Sequence, residues 1–125
     1  MRITSPVVII FLMLSLAGCK STDWQQVRQI VATADATVTD YQLLLGPADP
    51  LTAKLEKIHP PARAVIAAID SGAPNDALVE LALATARQLI EQIEDPKKRN
   101  TAARVYVGVV IALRLAGVGI PAPSP

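Results

Sequence analysis

Few residues in this chain have types and spacings that could do chemistry. The single cysteine, Cys19, follows Leu16-Ala17-Gly18 and closes a segment that begins Met1-Arg2 and runs apolar from Val7 to Ala17. One basic residue, about ten apolar residues and small residues before a cysteine are the make-up of an export signal, and they make Cys19 a candidate for covalent modification. His59 is the only histidine. One His and one Cys do not make a metal site, and a lone His beside Pro60 and Pro61 is expected in a loop or cap rather than as a ligand or base. Ser71-Gly72 reads as a helix stop. The sequence contains no Gly-rich phosphate loop and no Gly-x-Ser-x-Gly elbow. Asp35, Asp40, Asp70 and Glu80 are scattered acids, expected on solvated helix faces.

Leu16, Ala17, Gly18 and Cys19 resemble the lipobox of bacterial lipoproteins. The resemblance covers about the first twenty residues. It implies a diacylglyceryl group on the Cys19 thiol, cleavage by signal peptidase II before Cys19, and usually an acyl group such as palmitate on the new amine. Residues 1 to 18 would then be a signal peptide and residues 19 to 22 the lipidated anchor and a short tether. Two or more acyl chains make a stable anchor where one does not. In enterobacterial lipoproteins an Asp after the cysteine retains the protein at the inner membrane. Lys20 stands there, so the periplasmic face of the outer membrane is favoured, with the inner membrane or a single-membrane cell surface as the other locations. The alternative, an uncleaved spanning helix, needs about 20 apolar residues, and the run ends before Lys20, Ser21, Thr22 and Asp23.

Behind the anchor the elements must be helices. Loss of residues 1 to 18 from 125 leaves 107, enough for one small domain. Removing Arg2 from 12 Lys and Arg leaves 11 against 11 Asp and Glu, a balance without the electrostatic footprint of nucleic-acid binding. Ala, Leu, Val and Ile dominate, and Trp24, Tyr41, Tyr106 and Phe11 are the whole aromatic set. Trp24, Val27, Val31, Ala34, Val38, Tyr41 and Leu45 recur in steps of three and four, one stripe of a helix. Thr22 with Gln25 matches a capping box at its start, and Gly46, Pro47 and Pro50 stop it. Leu51 to Ile58 reads as a two-turn helix ended by His59-Pro60-Pro61. Pro61 then suits the first position of the next helix, unless the two form one kinked segment.

Asn75 is the expected N-cap of a helix from Asp76 to about Glu94, with Leu78, Leu81, Ala82, Leu89 and Ile93 as its core side, joined by Val79, Leu83, Ala86 and Ile90 for a broad apolar face, and Arg87 and Glu91 paired along the other. Asp95-Pro96 marks a turn into a final helix. Across it Glu91, Glu94 and Asp95 are expected to attract Lys97, Lys98 and Arg99. The alternative is one kinked helix. From Thr101 to Ala116 the chain is apolar nearly all round, which suits the middle of a bundle. Its β-branched residues also suit a strand, but nothing is present to pair with one. Arg114 and a run of about 15 residues oppose a membrane span, while interfacial contact stays open. Residues 118 to 125 read as a Pro/Gly-rich tail.

The expected fold is an all-α bundle of four or five helices over residues 23 to 117, with a C-terminal helical hairpin. The expected role is non-enzymatic and without a cofactor: an envelope interaction or structural module, held to the membrane by its lipid and touching an envelope protein. Two alternatives are binding of an apolar ligand or lipid within the bundle and, by size and anchoring alone, a prophage-type lipoprotein of lysis or superinfection exclusion. The mature protein is expected to carry acyl mass on Cys19 and to lack residues 1 to 18, and globomycin should make the precursor accumulate. A free Cys19 thiol on a full-length soluble chain would overturn the anchor.

Overall fold

Four of the five α-helices begin where a side chain accepts N–H groups that the first turn leaves unpaired, and the other continues directly from a 3₁₀ turn. The computed structural model describes residues 21–120. Helix α1 spans Trp24–Leu45. Its cap is one residue later than the expected box: the Asp23 carboxylate accepts the Gln26 N–H at 3.1 Å, while the Thr22 hydroxyl donates to the Gly117 carbonyl at 2.9 Å. An ionised acceptor suits the positive end of the helix dipole better than a hydroxyl. Gly46, at φ 86°, ends the helix in the left-handed region that glycine adopts without strain.

Asp49 caps the short helix α2, Pro50–Leu55, accepting from the Leu51 N–H at 2.9 Å. A 3₁₀ turn, Glu56–Ile58, carries the chain straight into α3, His59–Asp70. His59-Pro60-Pro61 therefore opens a helix instead of closing one, because the missing proline N–H groups fall in a first turn where they need no partner. Helix α4, Asp76–Glu91, has Asn75 as N-cap, accepting from the Ala77 N–H at 2.8 Å. Helix α5, Pro96–Leu115, has Asp95 as N-cap. A real turn separates α4 from α5, so the pair is a hairpin. The basic residues after it do not meet the acids before it: Lys98 Nζ lies 3.8 Å from Asp49, and Arg99 donates to the Ile93 carbonyl at 2.9 Å.

The contacts between distant residues give the topology. Arg28 meets Asp70 near one end of α1 and Asp35 meets His59 further along, so α3 runs antiparallel to α1. At the other extreme the Asp23 N–H donates to the Ala116 carbonyl at 2.8 Å, which returns the end of α5 to the start of α1. Helices α1, α3, α4 and α5 thus form an up-down-up-down bundle, closed by the α1–α5 seam. The described residues contain no strand and no helix long and apolar enough to cross a membrane.

The core is built from small and medium side chains. Val27, Val65, Val79 and Leu113 are at most 2% exposed, and a satellite cluster of Leu51, Leu55 and Ile93 fills the end where α2 sits. Three expectations need correction. Helix α5 lies in the wall of the bundle rather than its middle, because each of the four long helices has neighbours on one side only: Val110 and Leu113 face in, while Ile111 is 48% and Leu115 82% exposed. Likewise Leu81 faces out, while Val79, expected at the margin of the apolar face, sits at the centre of the inner side of α4. Val118 and Ile120, expected in the tail, are non-helical yet buried in the main core. Leu113→Ala is expected to cost about 2–5 kcal/mol in chemical denaturation. Leu115→Ala, two residues on and exposed, should stay within about 0.5 kcal/mol of the native chain.

Candidate functional site

Alanines at the inner positions of four helices leave the bundle incompletely filled. Between Val31, Ala34, Val38 and Tyr41 of α1, Ala62 and Val65 of α3, Ala82 and Ala86 of α4, and Ala102, Tyr106 and Val109 of α5 lies a cavity of about 250 Å³. Protein interiors rarely leave voids larger than a water molecule. Carbon makes up nearly all of this lining, with Asp35, Thr37, Lys98 and Thr101 contributing at its margins. Such a space offers a water too few hydrogen-bonding partners and suits an apolar guest; an apolar cavity of about 150 Å³ already admits benzene.

The cavity borders a wider groove on the α1–α5 seam, lined by Gln26, Gln29, Ile30 and Thr33 on one side and Gly108 and Ala112 on the other. Ala34, Thr37, Val105 and Val109 line both spaces and form the partition between them. Those four side chains are short or branched, so a guest entering from the seam meets no bulky gate.

Beside the cavity stands a buried polar cluster centred on His59, which is 3% exposed. The ring Nδ1 is hydrogen-bonded to Asp35 Oδ1 and Nε2 lies 2.8 Å from Gln42 Oε1. Gln42 Nε2 donates at 2.9 Å to both the Thr52 carbonyl and Glu56 Oε1, which fixes the amide with its oxygen toward the ring. Both ring nitrogens therefore face side-chain oxygens of α1. Arg63 Nε lies 3.6 Å from Asp35 Oδ2 and brings a guanidinium to the carboxylate. Among the described residues no buried side-chain nitrogen or oxygen lacks a partner.

The Asp-His pair invites comparison with a hydrolytic triad, in which Nε2 must face a nucleophile. Here Gln42 holds that nitrogen, and the cluster joins α1, α2, the 3₁₀ turn and α3. His59 is thus not the loop residue its prolines suggest: it is the C-cap of the 3₁₀ turn and opens α3 with its ring buried and hydrogen-bonded. Its partners were hidden because they lie 24 and 17 residues away in the chain. The available signal was Asp35 and Gln42 seven residues apart on one face of α1, beside an otherwise apolar stripe.

Of the scattered acids, Asp40 and Glu80 are exposed as expected. Asp70 is engaged: Arg28 Nε and Nη2 donate to its two oxygens at 2.6 and 3.0 Å. The hydrogen bond from Arg28 holds the Asp70 carboxyl below the usual carboxylate range and raises the guanidinium in turn. The stabilisation from this half-exposed pair is therefore present at neutral pH and is lost as pH falls through the folded-state value of Asp70. The Ser71 hydroxyl donates to the Ala68 carbonyl at 3.0 Å, consistent with a helix end. Leu16, Ala17, Gly18, Cys19 and Lys20 lie outside the described residues. The described residues hold no group of three or more His, Cys, Asp and Glu fit for a metal ion.

Comparison of the chain with protein families, curated proteins and solved structures finds no match. His59→Ala should destabilise the bundle by about 3 kcal/mol, because it leaves Asp35 and Gln42 buried without their partner. A double-mutant cycle with Asp35→Ala should recover a clear part of that cost, and strict additivity would show that the pair is not coupled.

Proposed function

We propose that this chain is a membrane-anchored lipoprotein whose helical domain takes up an apolar ligand, such as a lipid acyl chain, inside the bundle. The observation that carries the ligand reading is the apolar cavity of about 250 Å³ bordering the α1–α5 groove. The anchor reading rests on Leu16 to Cys19 and the resemblance they carry. In this account Cys19 bears diacylglycerol and an N-acyl group, residues 1 to 18 are removed, and the domain sits at the periplasmic face of an outer membrane. The residues around the cavity bind and enclose; none is assigned a reaction.

A second reading, an envelope module that contacts a protein partner, is favoured by Leu43 and Leu44. They are 77% and 84% exposed at the end of α1 opposite Trp24, and a helix of 22 residues holds them about 30 Å from its start. In this reading the bundle is a spacer presenting an apolar tip.

Native mass spectrometry should find an apolar molecule retained by the mature protein in addition to its own acyl groups. Added fatty acid at a hundredfold excess over its dissociation constant should raise the melting temperature by about 10–20 °C. Filling the space with Ala82→Leu and Ala86→Leu should abolish that shift while the ligand-free variant melts no lower than the native chain. A native chain that neither carries nor takes up an apolar molecule would sink the ligand reading and leave the interaction module.

A further inference from the structure

Helix α5 stands apart from the rest of the bundle in charge. It contains Lys97, Lys98, Arg99, Arg104 and Arg114 and no acid, whereas all 11 acidic residues of the chain lie between Asp23 and Asp95. Lys98 and Arg99 are engaged with Asp49 and the Ile93 carbonyl. Lys97, Arg104 and Arg114 are exposed. At 100° per residue Arg104, Ile111 and Leu115 lie on the side of α5 away from the buried Val110 and Leu113, with Val107 and Arg114 along the edge of that face one turn from Val110. Val107, Ile111 and Leu115 are 38%, 48% and 82% exposed and follow one another at intervals of four, an apolar ridge flanked by arginines.

The ridge also has a position. The end of α5 is clamped to the start of α1 through Asp23 and Thr22, three residues after Cys19. The face is therefore continuous with the place where the chain departs toward the residue read as lipidated. A second copy of this chain is a poor occupant, since a two-fold contact through this face would set arginines against arginines with no carboxylate between them. A basic helix with an apolar strip fits a bilayer interface, where the aliphatic side chains enter the acyl boundary and the arginines reach phosphates.

We propose that the outer face of α5 lies on an anionic phospholipid surface, with Val107, Ile111 and Leu115 in the interface and Lys97, Arg104 and Arg114 on the headgroup phosphates. The location of that surface beside the domain rests on the lipid-anchor reading; the affinity of the face does not. The test uses the mature protein carrying Trp24→Phe and a single new tryptophan, either Ile111→Trp on the ridge or Ala64→Trp on the exposed side of α3. In phosphatidylcholine vesicles containing phosphatidylglycerol, brominated lipid should quench the tryptophan at position 111 several-fold more than that at position 64. Phosphatidylcholine alone should weaken the difference. Arg104→Gln and Arg114→Gln, both on exposed positions, should each reduce the vesicle partition coefficient about fivefold, as loss of about 1 kcal/mol per arginine requires.

Equal quenching at the two positions in the anionic vesicles would overturn the proposal. So would burial of position 111 in the absence of lipid, which would assign the face to a protein or to a second copy. The intact mass of the same sample reads Cys19 acylation separately: an unmodified Cys19 refutes the anchor, while preferential quenching at position 111 would still support the docking face.

Discussion

His59 cannot turn or slide without stranding a buried partner. Its ring is fixed on one side by Asp35 and on the other by Gln42, and Gln42 is fixed in turn by the Thr52 carbonyl and Glu56. Apolar stripes made of Val and Ala are poor at choosing a register, because a shift by one turn exchanges one small side chain for another. A polar cluster is intolerant of such a shift, since every unpaired buried group carries a desolvation penalty. The cluster therefore sets the height of α3 against α1. The remaining helices pack on that pair, and the walls of the cavity follow from its register.

What was legible in the sequence was local. Asn75, Asp95, Gly46 and Gly72 mark helix ends because capping and left-handed glycine geometry depend on neighbours within a turn. The stripe from Trp24 to Leu45 identified α1, and the Asp95-Pro96 turn the hairpin. What escaped was set by residues far apart in the chain. The role of His59 depends on α1. The burial of Val118 and Ile120 depends on the core into which they fold. The outward half of α5 is apolar in the same residue types as its inward half, so composition could not say which half the bundle would cover. Lys97, Lys98 and Arg99 sit within a few residues of opposite charges but obey cap and turn geometry first. The candidate cavity was legible only as a composition, rich in alanine and poor in aromatics; its place needed the packing.

That composition has two effects at once. Inside, alanine at positions 34, 82, 86 and 102 leaves room that leucine or phenylalanine would have filled. Outside, valine, isoleucine and leucine remain on α5 and leucine on the tip of α1, exposed beyond what a bundle needs for its own core. The charge pattern separates the two exposed regions. Basic residues accompany the apolar ridge of α5, while Leu43 and Leu44 stand near Asp40, giving two surfaces of different chemistry on one small domain.

The pairing of Thr22 and Asp23 with Gly117 and Ala116 has a mechanical meaning. A tug on the chain ahead of residue 21 reaches the bundle at a point where the beginning of α1 and the end of α5 are already stitched together. The load is divided between two antiparallel helices instead of unwinding the first turn of one. Rupture then requires hydrogen bonds and core contacts to fail in parallel, so the rate of forced unfolding is governed by a shared barrier rather than by fraying of a single end. A pull on the chain ahead of α1 is thereby met by both ends of the bundle at once.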